Sequence, residues 1–243
     1  MIFDIHSHIK RDYKNQEKLE EDLLADMKKN NISLRVVSTL EGKSIREQND
    51  YISDFASRHP QELVGCAVIN PKEFDSVEET KRALGLPGIR MLEFNSLEHG
   101  YYPDSCANIN EILEIAEAKS VPVKVFVGLG ARAIPQQWAA HTGKYPEIKF
   151  VFLHMGCFDY GYGCVDLALN NNNIYVETSN QYEVQILKKA FTKLDKGKIV
   201  FGSSYPERIT KCSIDVFDMF HLDKDYLEGI LSGSFESILA QKQ

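Results

Sequence analysis

Two histidines one residue apart, His6 and His8, end a short apolar run, Ile2-Phe3-Asp4-Ile5-His6-Ser7-His8. Side chains alternate faces along a strand, so residues i and i+2 leave it in the same direction. A strand ending here therefore aims two imidazoles at a common point. Neutral imidazole is the commonest protein ligand for a divalent metal, and a metal so held polarises a water or a substrate oxygen. A third histidine, His154, follows the four apolar residues Phe150 to Leu153 and precedes Met155-Gly156. At a strand end it can complete a metal site or serve as the base that moves a proton.

What these residues can do depends on the elements that carry them. Short β-branched or aromatic runs begin near residues 2, 33, 63, 88, 121, 149, 174 and 198. Most are nearly continuous apolar runs, as expected of parallel strands covered on both faces. Between them lie helical stripes, such as Leu19, Leu23, Leu24 and Met27, or Ile109, Ile112, Leu113 and Ala116. Stop signals recur at Gly85, Gly143 and Lys196-Gly197. Residues 213–241 read as helical and are expected to pack back on the outside. Eight strand-helix units in about 250 residues predict an α/β fold, a (β/α)8 TIM barrel. An open doubly wound sheet fits less well, because Gly128-Leu129-Gly130 lacks the third glycine of a dinucleotide fingerprint. No linker or composition shift divides the chain, so residues 1–243 are read as one domain.

Active sites of such barrels lie at the C-terminal strand ends. That rule selects His6 and His8 on the first strand and Arg90, Glu93 and Asn95 on the fourth. Phe126 ends the fifth, His154 the sixth, Glu177 through Asn180 the seventh, and Ser203 and Ser204 the eighth. Arg90 and Arg132 are the expected anchors for a substrate carboxylate, since guanidinium pairs with carboxylate bidentately. His99 falls in a loop near the mouth, whereas His59 and His141 are expected on the surface near the opposite rim.

Composition limits the partners. A hydrophobic share of 43% with 26% charged residues is that of a globular chain with a sizeable core. No apolar run approaches the roughly 20 residues of a membrane span. The formal charge of −7, with no basic patch, argues against nucleic acid and leaves a small-molecule substrate as the expected partner. The five cysteines are scattered without a Cys-x-x-Cys, which fits free thiols. With no basic leader before the first strand, a cytoplasmic location is expected.

In order along the chain, these motifs resemble the amidohydrolase superfamily, in the branch related to aminocarboxymuconate semialdehyde decarboxylase. IFDIHSH resembles the family's Asp-x-His-x-His strand, and VGCAVINP and GIRMLEF its third and fourth strands. YPEIKFVFLHMG resembles the sixth-strand motif with His154 on the family histidine, and IYVETS and IVFGSSYP the seventh and eighth strands. The resemblance implies a metal-dependent hydrolase or decarboxylase, one divalent metal, zinc being the expected ion, and a homodimer, since barrels of this branch often pair.

The departures are as informative. The family pattern holds its metal through the first-strand histidines, a fifth-strand histidine and an eighth-strand aspartate. Here Phe126 and Ser204 stand at the last two positions. Ser204 is then read as a substrate-facing hydroxyl, with no Gly-x-Ser-x-Gly elbow to make it a nucleophile. Two imidazoles without a carboxylate neutralise a dication poorly, so a third ligand is required. His154, Glu93 or Glu177 could supply it. The preferred assignment is His6, His8 and Glu93 on the metal with His154 in catalysis. The alternative is a catalytically inactive barrel that keeps the pocket for binding or regulation. A phosphodiesterase like the TatD-like nucleases also uses first-strand histidines and a fourth-strand glutamate, but the acidic charge disfavours it.

Overall fold

The computed structural model describes residues 1–179 and 183–240, so Asn180 and residue 241 lie outside the described residues. Eight parallel strands alternate with helices: β1 (Ile2–His8), β2 (Ile32–Ser38), β3 (Leu63–Val68), β4 (Ile89–Phe94), β5 (Val123–Phe126), β6 (Phe150–Leu153), β7 (Ile174–Glu177) and β8 (Ile199–Val200). They pair in sequence order. Beyond β8 the chain meets β1 and closes the ring. Ile5 N donates to Phe201 O at 3.0 Å, His8 N to Tyr205 O at 2.7 Å and Ser204 N to His6 O at 2.9 Å. A TIM barrel, not an open sheet, is the fold.

The outer layer is α1 (Gln16–Lys29), α2 (Ile45–Arg58), α3 (Ser76–Ala83), α4 (Ser96–His99), α5 (Asn108–Ala118), α6 (Ala139–Lys144), α7 (Gly161–Asn170) and α8 (Val184–Lys193). The expected stripes are its buried faces, among them Leu23 and Met27 on α1 and Ile109, Ile112, Leu113 and Ala116 on α5. Among the described residues no helix is long and apolar enough to cross a membrane. Then follow α9 (Thr210–Asp215), α10 (Lys224–Glu228) and α11 (Ser234–Leu239).

Two expectations change here. The terminal helix does not merely lie on the outside. Phe235, Ile238 and Leu239 join the cluster of Phe3, Ile5, Val36, Val64, Met91, Val151 and Val200, so α11 plugs the N-terminal opening. Its C-terminal carbonyls collect cations, as helix C-termini do. Arg90 Nη2 donates to Leu239 O at 3.0 Å, and Lys149 Nζ to Ser237 O and to Ala240 O at 3.3 Å. His141 is buried rather than superficial; it packs on Trp138, and its Nε2 donates to Pro103 O at 2.8 Å.

The first strand breaks alternation. Phe3 and Ile5 point into the barrel, which by alternation would turn His6 and His8 outward beside Asp4. Between Asp4↔Arg35 and Ser7↔Val37, however, β1 spends three residues against two on β2. This β-bulge reverses the faces and brings both imidazoles inside. Asp4 holds it. Its Oδ1 accepts from His6 N at 3.1 Å and Ser203 N at 2.9 Å, and its Oδ2 from Arg35 Nε at 2.8 Å and Ser203 Oγ at 2.6 Å. Arg35 reaches on to Asp26 of α1 at 2.8 Å, and Asp4 and Arg35 are both fully buried. Breaking a buried pair strands a charge, at a cost of about 3 kcal/mol or more. Asp4→Ala is therefore expected to lower the urea midpoint by that free energy with an unchanged m-value; a change under about 1 kcal/mol would contradict this role.

Candidate active site

The bulge, β4 and the turn after β6 converge at the C-terminal mouth. The His6 ring lies 4.9 Å, centroid to centroid, from His8 and 5.0 Å from His154, edge-on to both. His6 is 1% exposed and neither ring nitrogen has a hydrogen-bond partner. A buried imidazole with both nitrogens unpaired is costly unless a ligand completes it. Burial and the nearby Lys124 cation hold its pKa well below the ordinary value, so it is neutral, the form that binds a metal.

Glu93 points inward from β4. Its Oε1 accepts from His8 Nε2 at 2.8 Å and its Oε2 from Ser38 Oγ at 2.6 Å, and Lys124 Nζ of β5 lies 2.9 Å from Oε2. Glu93 and Lys124 are both fully buried. Burial alone would raise the Glu93 carboxyl, but the Lys124 ammonium and His8 hold it well below the usual range. Lys124 is held up in turn, against its own desolvation, by Cys66 and Glu93. The buried cation that pairs with Glu93 is thus Lys124.

Donor atoms of His6, His8 and Glu93 lie within 4.8 Å of one another, as do those of His6, His154 and Glu177. Two imidazoles and one carboxylate are a known donor set for a catalytic divalent metal. The first group fits better, because its carboxylate is ionised. Burial pushes Glu177 up to about 7, where backbone donors rather than a cation face its oxygens: His154 N donates to Oε2 at 2.9 Å and Ser179 N to Oε1 at 2.5 Å.

His154 sits on strained backbone. It and Met155 have φ of +57° and +52°, and Ser204, in the segment after β8, +53°. Non-glycine residues in this region cost free energy and cluster at functional sites. Burial, then the Arg208 cation in the loop after β8 and His8, bring the His154 pKa down to about 3, so the ring is neutral at pH 7. The Phe126 ring lies 5.3 Å from it, edge-on, as a dry wall. At Gly128, whose φ is +133°, a Cβ would collide with Cys157, which packs the fifth and sixth loops together.

His6, His8, Glu93 and His154 are therefore brought together, with Ser204 buried beside them. Arg132 stands exposed on the rim, 5.9 Å from the Tyr102 ring centroid. Arg90 lies at the opposite end of β4, on the terminal helix, and does not reach the mouth. Ser179 falls within the range selected at the end of the seventh strand, whereas Lys124, Ser38 and Arg208 were not anticipated. Lys124 did leave a signal, a lone charge inside the apolar run VPVKVFV.

The amidohydrolase family model matches residues 4–233, and the chain belongs to that family. Similar solved structures include an uncharacterized TIM-barrel protein from Bordetella bronchiseptica (17% identity, 98% of each chain, TM-score 0.80). A probable 2-pyrone-4,6-dicarboxylic acid hydrolase from Acinetobacter baumannii, with citric acid bound, is 15% identical over 98% of each chain, with a TM-score of 0.75. A dihydroxybenzoic acid decarboxylase from a Polaromonas species, with manganese and 2-nitroresorcinol bound, is 16% identical over 98% of this chain and 96% of its own, with a TM-score of 0.73. At these identities the likeness establishes the fold. A search of curated proteins finds no match.

The neutral histidines make a pH signature. His154 binds a proton in the unfolded chain below the ordinary histidine value of 6.5, but in the folded protein only near 3. Its share of the stability is whole above pH 6.5 and is lost as pH falls toward 3. Glu177 acts oppositely between 4.5 and 7, where the folded protein holds the extra proton. In chelator-treated protein, His154→Gln should therefore lower the slope of unfolding free energy against pH by about 1.4 kcal/mol per unit between pH ~4.5 and ~6.5. Parallel curves for the two proteins would contradict the buried neutral state.

Proposed function

We propose that this protein is a metal-dependent hydrolase of small carboxylate-bearing substrates, with His6, His8 and Glu93 as metal ligands and His154 as the general base. The carrying observation is the unpartnered, buried His6 ring between His8 and His154 at the barrel mouth. A bound divalent metal supplies Lewis acidity, polarising the substrate carbonyl and acidifying water. Zinc and manganese both suit this donor set, and a manganese-containing decarboxylase shares the fold.

The chain's own residues supply the rest. Neutral His154 takes a proton from water as the water oxygen bonds to the substrate carbonyl carbon. It returns the proton to the leaving oxygen or nitrogen as the scissile bond breaks. Phe126 excludes solvent on one side of His154. Arg132 and Arg208 would meet a substrate carboxylate, in the role first assigned to Arg90 and Arg132.

Decarboxylation is the second reading, favoured by the similarity to aromatic-acid decarboxylases. It requires His154 to enter the reaction protonated, which a pKa near 3 opposes. A cytoplasmic homodimer completes the proposal.

The test is metal analysis of protein purified without chelator, beside assays on a pyrone dicarboxylate lactone and on dihydroxybenzoates. Near-stoichiometric metal, lost in His6→Ala but kept in His154→Ala with at least a hundredfold lower kcat, is expected. Lactone opening without release of carbon dioxide separates the two reactions. Wild-type protein that stays metal-free in micromolar zinc or manganese would leave the non-catalytic binding barrel as the better account.

A further inference from the structure

The residues behind His154 form a chain of polar contacts that the proposed chemistry does not use. His154 Nδ1 lies 2.7 Å from Ser179 Oγ, and Ser179 Oγ lies 2.8 Å from Glu177 Oε2. Glu177 is held rigidly: Oε2 also accepts from His154 N at 2.9 Å and Oε1 from Ser179 N at 2.5 Å. A Cβ at position 202 would collide with Glu177, so Gly202 makes room for this carboxylate against the chain leaving β8. All of these side chains are buried.

Proton counting assigns the donors. Ser179 has a single hydroxyl proton. Above pH ~7 Glu177 is ionised and, like any carboxylate, only accepts; the backbone N–H groups on both its oxygens favour that form. The Ser179 hydroxyl must then donate to Glu177 Oε2, and what remains on Ser179 Oγ is acceptor capacity. His154 Nδ1 therefore carries the ring proton and donates it to Ser179. The other nitrogen, Nε2, keeps its lone pair, on a ring whose centroid lies 5.0 Å from that of His6.

We infer that Glu177 and Ser179 are positioning residues that fix the His154 tautomer, so that Nε2 meets the substrate as a proton acceptor. Backbone strain at His154 holds the ring in place, and the serine hydroxyl, itself oriented by Glu177, selects the tautomer. The carboxylate reaches the histidine through a hydroxyl, its own Oε2 standing farther off, 3.9 Å from Nδ1. As a claim about catalysis this rests on the proposed role of His154; as a claim about the tautomer it does not.

The test is nitrogen-15 NMR of histidine-labelled protein, with His154 assigned from the His154→Gln spectrum, beside steady-state kinetics on the lactone. At pH ~8, where Glu177 is a carboxylate, wild type is expected to show His154 protonated at Nδ1 and unprotonated at Nε2. Ser179→Ala should move it toward a mixture of tautomers and lower kcat about ten- to a hundredfold with KM nearly unchanged. Ser179→Thr, which keeps the hydroxyl, should restore both, and metal content should not differ among the three proteins. A wild-type His154 protonated at Nε2, or a tautomer unmoved in Ser179→Ala, would overturn the inference. A tautomer that moves as expected in a protein that turns over no lactone would leave the inference standing and refute the hydrolase reading. Should Ser179→Ala not fold, the wild-type and Ser179→Thr spectra still decide the tautomer.

Discussion

The bulge in β1 is the constraint on which the site depends. One extra residue between Asp4 and Ser7 turns His6 and His8 from the helix side of the strand to the barrel side. Nothing in the local hydrogen bonding of a strand favours such an insertion; it leaves unpaired groups and bends the chain. The Asp4 carboxylate compensates by accepting from His6 N, from Ser203 and from Arg35. The same carboxylate thus sets the direction of the imidazoles, ties the end of β8 to β1 and anchors α1 through Arg35 and Asp26. Closure of the barrel and orientation of the candidate ligands are one event.

Charge inside the barrel is arranged by the same economy. Two buried glutamates flank the histidines and differ in what neutralises them. Glu93 has a buried ammonium, Lys124, and is held ionised. Glu177 has only hydrogen-bond donors and is pushed up to about 7. An ionised carboxylate next to His8 suits a cation, whereas a carboxylate surrounded by N–H and O–H groups suits the fixing of a neighbouring ring. Lys124 also takes one Glu93 oxygen, leaving the other for His8 or a single metal bond. Before any metal binds, the Glu93–Lys124 pair carries no net charge. A dication would then be held mainly by neutral imidazoles and one shared carboxylate oxygen, a weaker arrangement than a site with an unshared acid.

The barrel was legible in the amino-acid sequence because strand runs and helical stripes recur at the right spacing, and the family pattern falls on them in order. The His-x-His pair was legible as a pair, though not for the reason alternation suggests. Plain alternation places Phe3, Ile5 and the histidines on one strand without saying that the faces switch between them. A bulge is a property of pairing with β2, invisible in β1 alone. The same limit hid the direction of Glu93 and the reach of Lys124, which depend on the stagger of β3, β4 and β5. Arg90 shows the converse error. Its type suits a carboxylate anchor, but three residues before Glu93 on β4 puts it near the other end of the barrel, where the C-terminal carbonyls of α11 claim it. Phe126 and Ser204, at positions where the family pattern has ligands, lie beside His154 and His6 and contribute a ring edge and a backbone N–H instead.

The central claim is that Asp4 and the bulge deliver His6 and His8 to the same cation as Glu93. Anomalous diffraction from crystals grown with zinc tests it directly. The account predicts one peak about 2.1 Å from a ring nitrogen of His6, a ring nitrogen of His8 and one oxygen of Glu93, with His154 outside bonding distance. A peak bound instead by His6, His154 and Glu177, or no peak at His6 at all, would contradict it.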